Sequence, residues 1–72
     1  MIVELVLDDA EMAYMKALTG MQATELTGEA LTLLKWAIDE SARGRIIVST
    51  NQDGGQVTKV VTPAIHAAYK HA

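Results

Sequence analysis

The 72-residue sequence contains no cysteine, no phenylalanine and a single proline. Without cysteine there are no disulfides, no thiolate metal ligands and no thiol redox chemistry. The core of so short a chain rarely contributes more than about 3–5 kcal/mol, so small domains usually add a disulfide, a metal or a partner subunit. The sequence therefore predicts one domain, residues 1–72, that is stabilised by either a metal or a partner subunit.

The only histidines, His66 and His71, are the candidate imidazole ligands for a metal. They lie five positions apart, and on a helix that spacing turns them to different faces, whereas paired ligands lie three or four apart. We therefore expect no metal site and no cofactor. A partner subunit remains as the stabilising element.

Long apolar runs are also missing, although half of the residues are apolar. No stretch approaches the roughly 18 residues that cross a bilayer, and no basic N-terminal region leads into an apolar segment. We therefore expect a cytoplasmic protein that does not enter a membrane. Apolar surface beyond what so short a chain can bury usually contacts another molecule.

The net charge of −3 is unevenly distributed along the chain. Residues 1–40 carry eight acidic residues and two lysines, which gives −6, while residues 41–72 carry four basic residues and Asp53, which gives +3. An asymmetry of this kind concerns binding partners rather than the fold.

The N-terminal third has the pattern of a strand followed by a helix. Residues 2–7 are aliphatic and β-branched apart from one glutamate, which predicts a strand. Asp8 and Glu11 have the spacing of a capping box at the start of a first helix. Gly20 suits the position just after the end of that helix, at residue 18 or 19.

A second, longer helix is predicted from Glu25 to about Arg43, with Thr24 as its N-cap and Gly44 after its end. Its apolar positions cover roughly half of the circumference, where an ordinary surface helix needs about 100°. We therefore expect this helix to pack against more than one neighbour. Its central stripe comprises Leu26, Ala30, Leu33, Leu34, Ala37 and Ser41.

The C-terminal third has the pattern of a hairpin and a short helix. Residues 45–50 and 56–62 have strand composition, and Asp53-Gly54 between them is typical of a hairpin turn. Thr62-Pro63 suits the start of a helix that ends near residue 69. Trp36 lies in the polar arc of the second helix. It is either an exposed anchor for a partner or covered by the hairpin, and we expect the hairpin to cover it, because large aromatic side chains are mostly buried.

The order strand, short helix, glycine turn and long helix resembles the ribbon-helix-helix superfamily of Arc-, MetJ- and CopG-like regulators. Leu5-Val6-Leu7 followed by Asp8-Asp9 looks like the passage from the strand of that family into its first helix. Gly20 through Thr24-Glu25-Leu26 is similar to its inter-helix turn. Ala30-Leu31 with Leu33-Leu34-Lys35-Trp36 resembles the second helix of small CopG-like proteins, and 45–61 resembles their hairpin extension.

The resemblance implies an α+β fold with a ribbon-helix-helix core over 2–43, a hairpin extension over 44–62 and a short C-terminal helix and tail over 63–72. It also implies an intertwined homodimer, in which the two N-terminal strands pair antiparallel and the two second helices pack together. The implied dimer core comprises Val3, Leu5, Leu7, Leu26, Ala30, Leu33, Leu34 and Ala37.

Sequence-specific DNA binding is the usual activity of this superfamily, through the outward side chains of the paired strands. Here those side chains are Ile2, Glu4 and Val6. None of them is a good donor to a base edge, and a glutamate is repelled by a groove lined with phosphates. Contacts to a phosphate or a partner would instead be made by Thr24, Arg43, Arg45 and Lys59.

Two functions remain open at this point. One is a DNA-binding regulator or antitoxin-like protein, and the other is a protein-interaction module on the same scaffold that has lost DNA reading. An enzyme is not expected, because Ser41 and Ser49 have no histidine base arranged near them. The adjacent acids Asp8-Asp9 and Asp39-Glu40 also diverge on a helix, which excludes a paired general acid and base.

Overall fold

The computed structural model describes residues 2–4 and 8–72, with side chains from Asp8 onward. The elements follow the order β1 (Ile2–Glu4), α1 (Asp9–Thr19), α2 (Ala23–Ala42), β2 (Val48–Ser49), β3 (Thr58–Val61) and α3 (Pro63–Tyr69). This confirms the predicted α+β class and element order. Among the predicted site residues, Leu5, Val6 and Leu7 lie outside the described residues, as do the side chains of Ile2, Val3 and Glu4.

Helix α1 begins and ends as the sequence predicts. Oδ1 of Asp8 accepts a hydrogen bond from the Glu11 amide at 2.9 Å, and Oε2 of Glu11 accepts one from the Asp8 amide at 3.0 Å. Gly20 follows the helix with a φ of 70°, and its amide donates to the Lys16 carbonyl. Glycine adopts this left-handed conformation without a steric penalty, so it ends the helix cleanly.

Helix α2 begins earlier than predicted, because its N-cap is Gln22 and not Thr24. Oε1 of Glu25 accepts a hydrogen bond from the Gln22 amide at 3.1 Å. A glutamate that bonds back in this way lies three residues after the cap, which places the cap at residue 22. Thr24 therefore lies exposed within the first turn. At the other end, Gly44 has the positive φ, 83°, that the sequence predicts after the helix.

The three strands form one sheet in the order β1-β3-β2. Strands β2 and β3 are the predicted antiparallel hairpin, with Val48 opposite Lys59. Strand β1 lies parallel to β3 on its other side, with Val3 opposite Val60. The N-terminal strand thus has a partner in its own chain, whereas the resemblance implies pairing with a second copy. Among the described residues, the far edge of β1 carries no further strand.

Both hairpin strands are shorter than predicted, for local reasons. The Arg45 amide donates to the Glu40 carbonyl at 3.1 Å, so residues 43–45 complete the end of α2 instead of starting a strand. Gln56 has a φ of 50°, a left-handed conformation that interrupts an extended strand. Thr62 is used as the N-cap of α3, which ends β3 at residue 61.

The turn of the hairpin and the start of α3 follow the prediction. Gly54 has a φ of 86°, and the Asn51 amide donates to the Gly55 carbonyl at 3.1 Å to close the loop. Oγ1 of Thr62 accepts a hydrogen bond from the Ile65 amide at 3.2 Å, with Pro63 in the first turn. The N-cap therefore holds the turn that carries Ile65, which is one of the few buried side chains.

The core of the described residues is small. Helix α3 packs against α2, and the buried apolar side chains are Leu26, Ala37 and Ile65. Helix α1 packs against α2 but contributes no buried residue.

The chain exposes more surface than a compact monomer of its mass. Its accessible surface is 5643 Å² for 7.8 kDa, where a folded monomer is expected to expose about 4,400 Å². Its radius of gyration is 13.6 Å, where about 11 Å is expected for this length. The excess area, roughly 1,200 Å², exceeds the roughly 800 Å² that each partner buries in a standard interface.

Candidate functional site

The apolar stripe of α2 is covered at its two ends and open in the middle. Leu26 is buried near the start of the helix and Ala37 near its end. Between them, Leu33 is 65% exposed and Ala30 is also exposed, while Leu34 is half-buried. The uncovered part is therefore the centre of the stripe that the sequence predicts as dimer core.

A second apolar side chain, Leu31, is exposed on the opposite side of α2. It is 63% exposed and lies two residues before Leu33, which on a helix is a rotation of about 200°. Tyr14 and Leu18 of α1 are exposed as well. Apolar residues are thus uncovered on two sides of α2. The Leu31 side has an apolar cleft of about 220 Å³ between α1 and α2, which is smaller than the one on the Leu33 side.

The Leu33 side continues into a cleft between α2 and the sheet, which we call the α2–sheet cleft. Its volume is about 360 Å³ and its walls are almost wholly apolar. A cleft of 300–1,000 Å³ with apolar walls is typical of a binding site. The walls comprise Ala30, Leu33, Leu34, Trp36 and Ala37 of α2 together with Ile47, Val60, Thr62 and Ile65.

Trp36 lies at the rim of the α2–sheet cleft and is 51% exposed, so the prediction that the hairpin covers it is wrong. The hairpin does reach the cleft, through Ile47 and Val60. However, Ala37 is buried, so its side of α2 faces the rest of the chain. Trp36, the preceding residue, points about 100° away from Ala37 around the helix axis. Half of the indole therefore remains available to another molecule.

Acidic side chains border this apolar surface. A second groove, about 850 Å³, runs from Trp36 and Leu33 toward the start of α2 and carries Glu25 and Glu29 on its walls. Gly28 lies in the same groove, and a side chain built there would meet nothing within 4 Å. A molecule that approaches the centre of α2 thus finds an open apolar surface next to negative charge.

On the outer surface of α2, Lys35 and Asp39 form an ion pair one turn apart. Nζ of Lys35 lies 2.7 Å from Oδ2 of Asp39, and this hydrogen bond, together with the charge of the ammonium group, lowers the pKa of the Asp39 carboxyl. Both side chains are exposed, so the pair contributes little to stability. The pair does hold the side chain of Lys35, one of the two lysines among residues 1–40, against its own helix.

The residues predicted to contact a phosphate or a partner do not form one cluster. Thr24 lies in the first turn of α2 and Arg43 just after the last, which is a separation of about 28 Å at 1.5 Å per residue. These two side chains cannot hold the same phosphate. Arg45 and Lys59, by contrast, line one small cavity near the end of α2.

Both basic side chains at that cavity already have a partner in the chain. Nη1 of Arg45 lies 3.2 Å from Oε2 of Glu40, and Nζ of Lys59 lies 5.7 Å from the centroid of the Tyr69 ring. The ion pair reduces the positive charge that Arg45 offers to an outside ligand. The cation–π contact leaves the charge of Lys59 in place and fixes its position.

In the part of the chain that the structure describes, no group of three or more His, Asp or Glu side chains is placed to hold a metal ion. None of the helices described there is long and apolar enough to cross a membrane.

Comparisons with protein-family models, with curated proteins and with solved structures find no match. The ribbon-helix-helix resemblance therefore rests on the sequence motifs alone.

Proposed function

We propose that the protein is a small dimeric regulatory protein that acts as an interaction module, and that a second copy of the chain covers the α2–sheet cleft. The observation that carries the proposal is the excess of roughly 1,200 Å² of accessible surface over a compact monomer. A dimer that buries this area on each copy has an interface larger than the standard size and within the range of obligate homodimers.

The shape of the cleft face favours a second copy as its occupant. In a two-fold interface the same patch serves both partners, so it must carry a protrusion and a recess together. The half-exposed Trp36 side chain lies on the same face as the α2–sheet cleft that it helps to line, so Trp36 of one copy could enter the cleft of the other. Buried aromatic side chains are also the residues that contribute most to interface energy.

The charge distribution supports the same arrangement. Glu25 and Glu29 border the cleft face, while residues 41–72 carry a net charge of +3. A packing that brings residues 41–72 of one copy against the acidic groove of the other would therefore be complementary in charge. Such complementarity contributes little to affinity but sets the orientation and the rate of association.

Sedimentation equilibrium of the full chain at micromolar concentration tests the dimer. We expect a mass of twice 7.8 kDa, because the apolar face of a single chain is too large to remain in water. Circular dichroism on the same samples establishes that the chain is folded. A folded species that sediments as a monomer across the micromolar range would contradict the proposal.

A DNA-binding regulator is the second candidate function. It is favoured by the positive charge of residues 41–72 and by the presence of Arg45 and Lys59 on one cavity wall. Two observations favour the interaction module instead. The guanidinium of Arg45 is paired with Glu40, and Thr24 lies at the other end of α2, far from the basic residues.

A mobility-shift assay at low salt distinguishes the two functions. If the chain is a DNA-binding regulator, replacing Arg43, Arg45 and Lys59 with glutamine abolishes the shift, since nonspecific affinity comes from neutralised phosphates. Replacing Lys16 and Lys35 is the control, because these lysines lie in the acidic half, and we expect it to leave the shift unchanged. The interaction module predicts that the intact chain gives no shift at all.

A further inference from the structure

Helix α2 and its C-cap carry a row of residues with the spacing of a coiled coil, which we call the α2 seam. Glu29, Trp36 and Arg43 lie seven residues apart, and Leu26 and Leu33 repeat at the same interval, three residues before Glu29 and Trp36. In a heptad pattern two such sets are the a and d positions, which face a partner helix. Of these five residues only Leu26 is buried. The α2 seam is therefore open to another helix from Glu29 onward.

The two ends of the α2 seam carry opposite charges. Glu25 and Glu29 line the groove near the start of α2, and Arg43 is the C-cap at its other end. In the part of the chain that the structure describes, neither Glu29 nor Arg43 forms an ion pair. Two parallel helices would place like charges side by side, whereas two antiparallel helices place the arginine of each at the acidic end of the other. Charge complementarity therefore favours an antiparallel pair.

We infer that the second copy packs its α2 antiparallel against this helix along the α2 seam, an inference that rests on the dimer proposed above. The uncovered apolar members, Leu33 and Trp36, set the register. Trp36 of each copy lies against Leu33 of the other, so both side chains leave water. Because Leu33 also lines the α2–sheet cleft, the indole reaches the cleft of the other copy. A two-fold axis between residues 33 and 36 makes the two contacts identical.

This register brings Arg43 into the acidic groove of the other copy. Arg43 lies seven residues beyond Trp36, which is about 10.5 Å along the helix axis. The same distance in the opposite direction runs from Leu33 of the other copy back to Leu26. The guanidinium therefore arrives level with Leu26, between the two glutamates of the groove. Helices that cross at about 20° stay close over this length.

Glu40 occupies the remaining position of the α2 seam, three residues before Arg43. In the inferred register it comes level with Glu29 of the other copy, where a second carboxylate is unfavourable. However, Oε1 and Oε2 of Glu40 lie 3.3 and 3.2 Å from Nη1 of Arg45 in the same chain. This ion pair offsets the charge of Glu40 and leaves Arg43 as the counter-charge for Glu29.

Charge reversal in the full chain tests the inference, with the dissociation constant measured by sedimentation equilibrium at low salt, where exposed charges are least screened. Arg43→Glu places a carboxylate between two others, and we expect it to raise the dissociation constant at least about 10-fold. Glu29→Arg alone should raise it as well, because it brings two guanidinium groups together. The double variant with both substitutions restores an opposite pair, and its constant should lie below that of either single variant.

Lys35→Glu is the matched control for Arg43→Glu. Each substitution lies four residues from Asp39, and each changes the net charge by the same amount. Lys35 is 77% exposed and is turned about 160° from Leu33 around the helix axis, so it lies away from the α2 seam. Its substitution should leave the dissociation constant within about threefold of that of the unsubstituted chain. Circular dichroism establishes that every variant is folded.

The possible failures are distinguishable. If the unsubstituted chain is a dimer and Arg43→Glu weakens it no more than Lys35→Glu does, the helices do not pair along the α2 seam and the proposed dimer stands. The same conclusion follows if the double variant associates no more tightly than the single variants. A folded monomer of the unsubstituted chain across the micromolar range contradicts the dimer and the seam together.

Discussion

Replacing Ile65 with alanine is expected to lower the free energy of unfolding by about 3 kcal/mol, which lies within the range for such a substitution in a core. Ile65 is only 7% exposed and is one of three buried apolar side chains among the described residues. A 72-residue domain has a free energy of unfolding of about 4–11 kcal/mol, so the loss is a large part of the total. Urea denaturation followed by Trp36 fluorescence measures it, because Trp36 and Ile65 line the same cleft.

The matched control is Ile46→Ala, the same substitution on a side chain that is 55% exposed. Its effect should be below about 1 kcal/mol, since little apolar area is lost and no closed cavity is left. Both variants are measured at one protein concentration, because the stability of a dimer depends on concentration. Equal losses for the two variants would mean that α3 is not docked on α2 as described.

Local chemistry made much of the fold predictable. Asp8 with Glu11, Thr62 with Pro63, and Gly20 each act through hydrogen bonds or backbone angles within four residues, and the structure confirms all three. The N-cap of α2 was predicted wrongly, although the signal was present. The three-residue spacing from Gln22 to Glu25 identifies the cap, whereas the preference for threonine pointed to Thr24.

Long-range pairing is the part of the fold that the sequence did not predict. The parallel register of β1 with β3 joins residues almost 60 positions apart. The sequence of neither strand indicates which strand it pairs with. The aliphatic pattern of residues 2–7 is equally compatible with a neighbour in the same chain or in a second copy. Only the topology, with β3 between β1 and β2, distinguishes the two.

The candidate site was predictable in its composition but not in its exposure. The sequence placed Leu33 and Ala37 on one stripe, yet Leu33 is exposed and Ala37 is buried, and the pattern of apolar residues along the helix does not distinguish the two. Ser41 was placed on the same stripe, and its unpartnered hydroxyl became visible only with the structure. A signal was available there, since a serine at the centre of an apolar stripe needs a hydrogen-bond partner.

Leu33→Lys is expected to dissociate the dimer and to raise its dissociation constant by at least about 100-fold, which corresponds to about 2.7 kcal/mol. The physical reason is that an ammonium group at the centre of an apolar interface loses its hydration. Within the single chain the same substitution is harmless, because Leu33 is 65% exposed. Lysine at this position even follows Glu29 by one helical turn, which favours the helix. Sedimentation equilibrium measures the dissociation constant.

Leu31→Lys provides the control, because Leu31 lies on the same helix, is 63% exposed and faces the opposite side. Local charge disfavours this variant, since the new lysine lies four residues before Lys35. If the chain is a monomer, Leu31→Lys should therefore lower its stability slightly more than Leu33→Lys does. If the proposed dimer forms, Leu33→Lys should have the larger effect, and its dissociation constant should exceed that of Leu31→Lys by a wide margin. If both variants remain dimeric, the second copy does not cover the α2–sheet cleft, and if only Leu31→Lys dissociates, it covers the other side of α2.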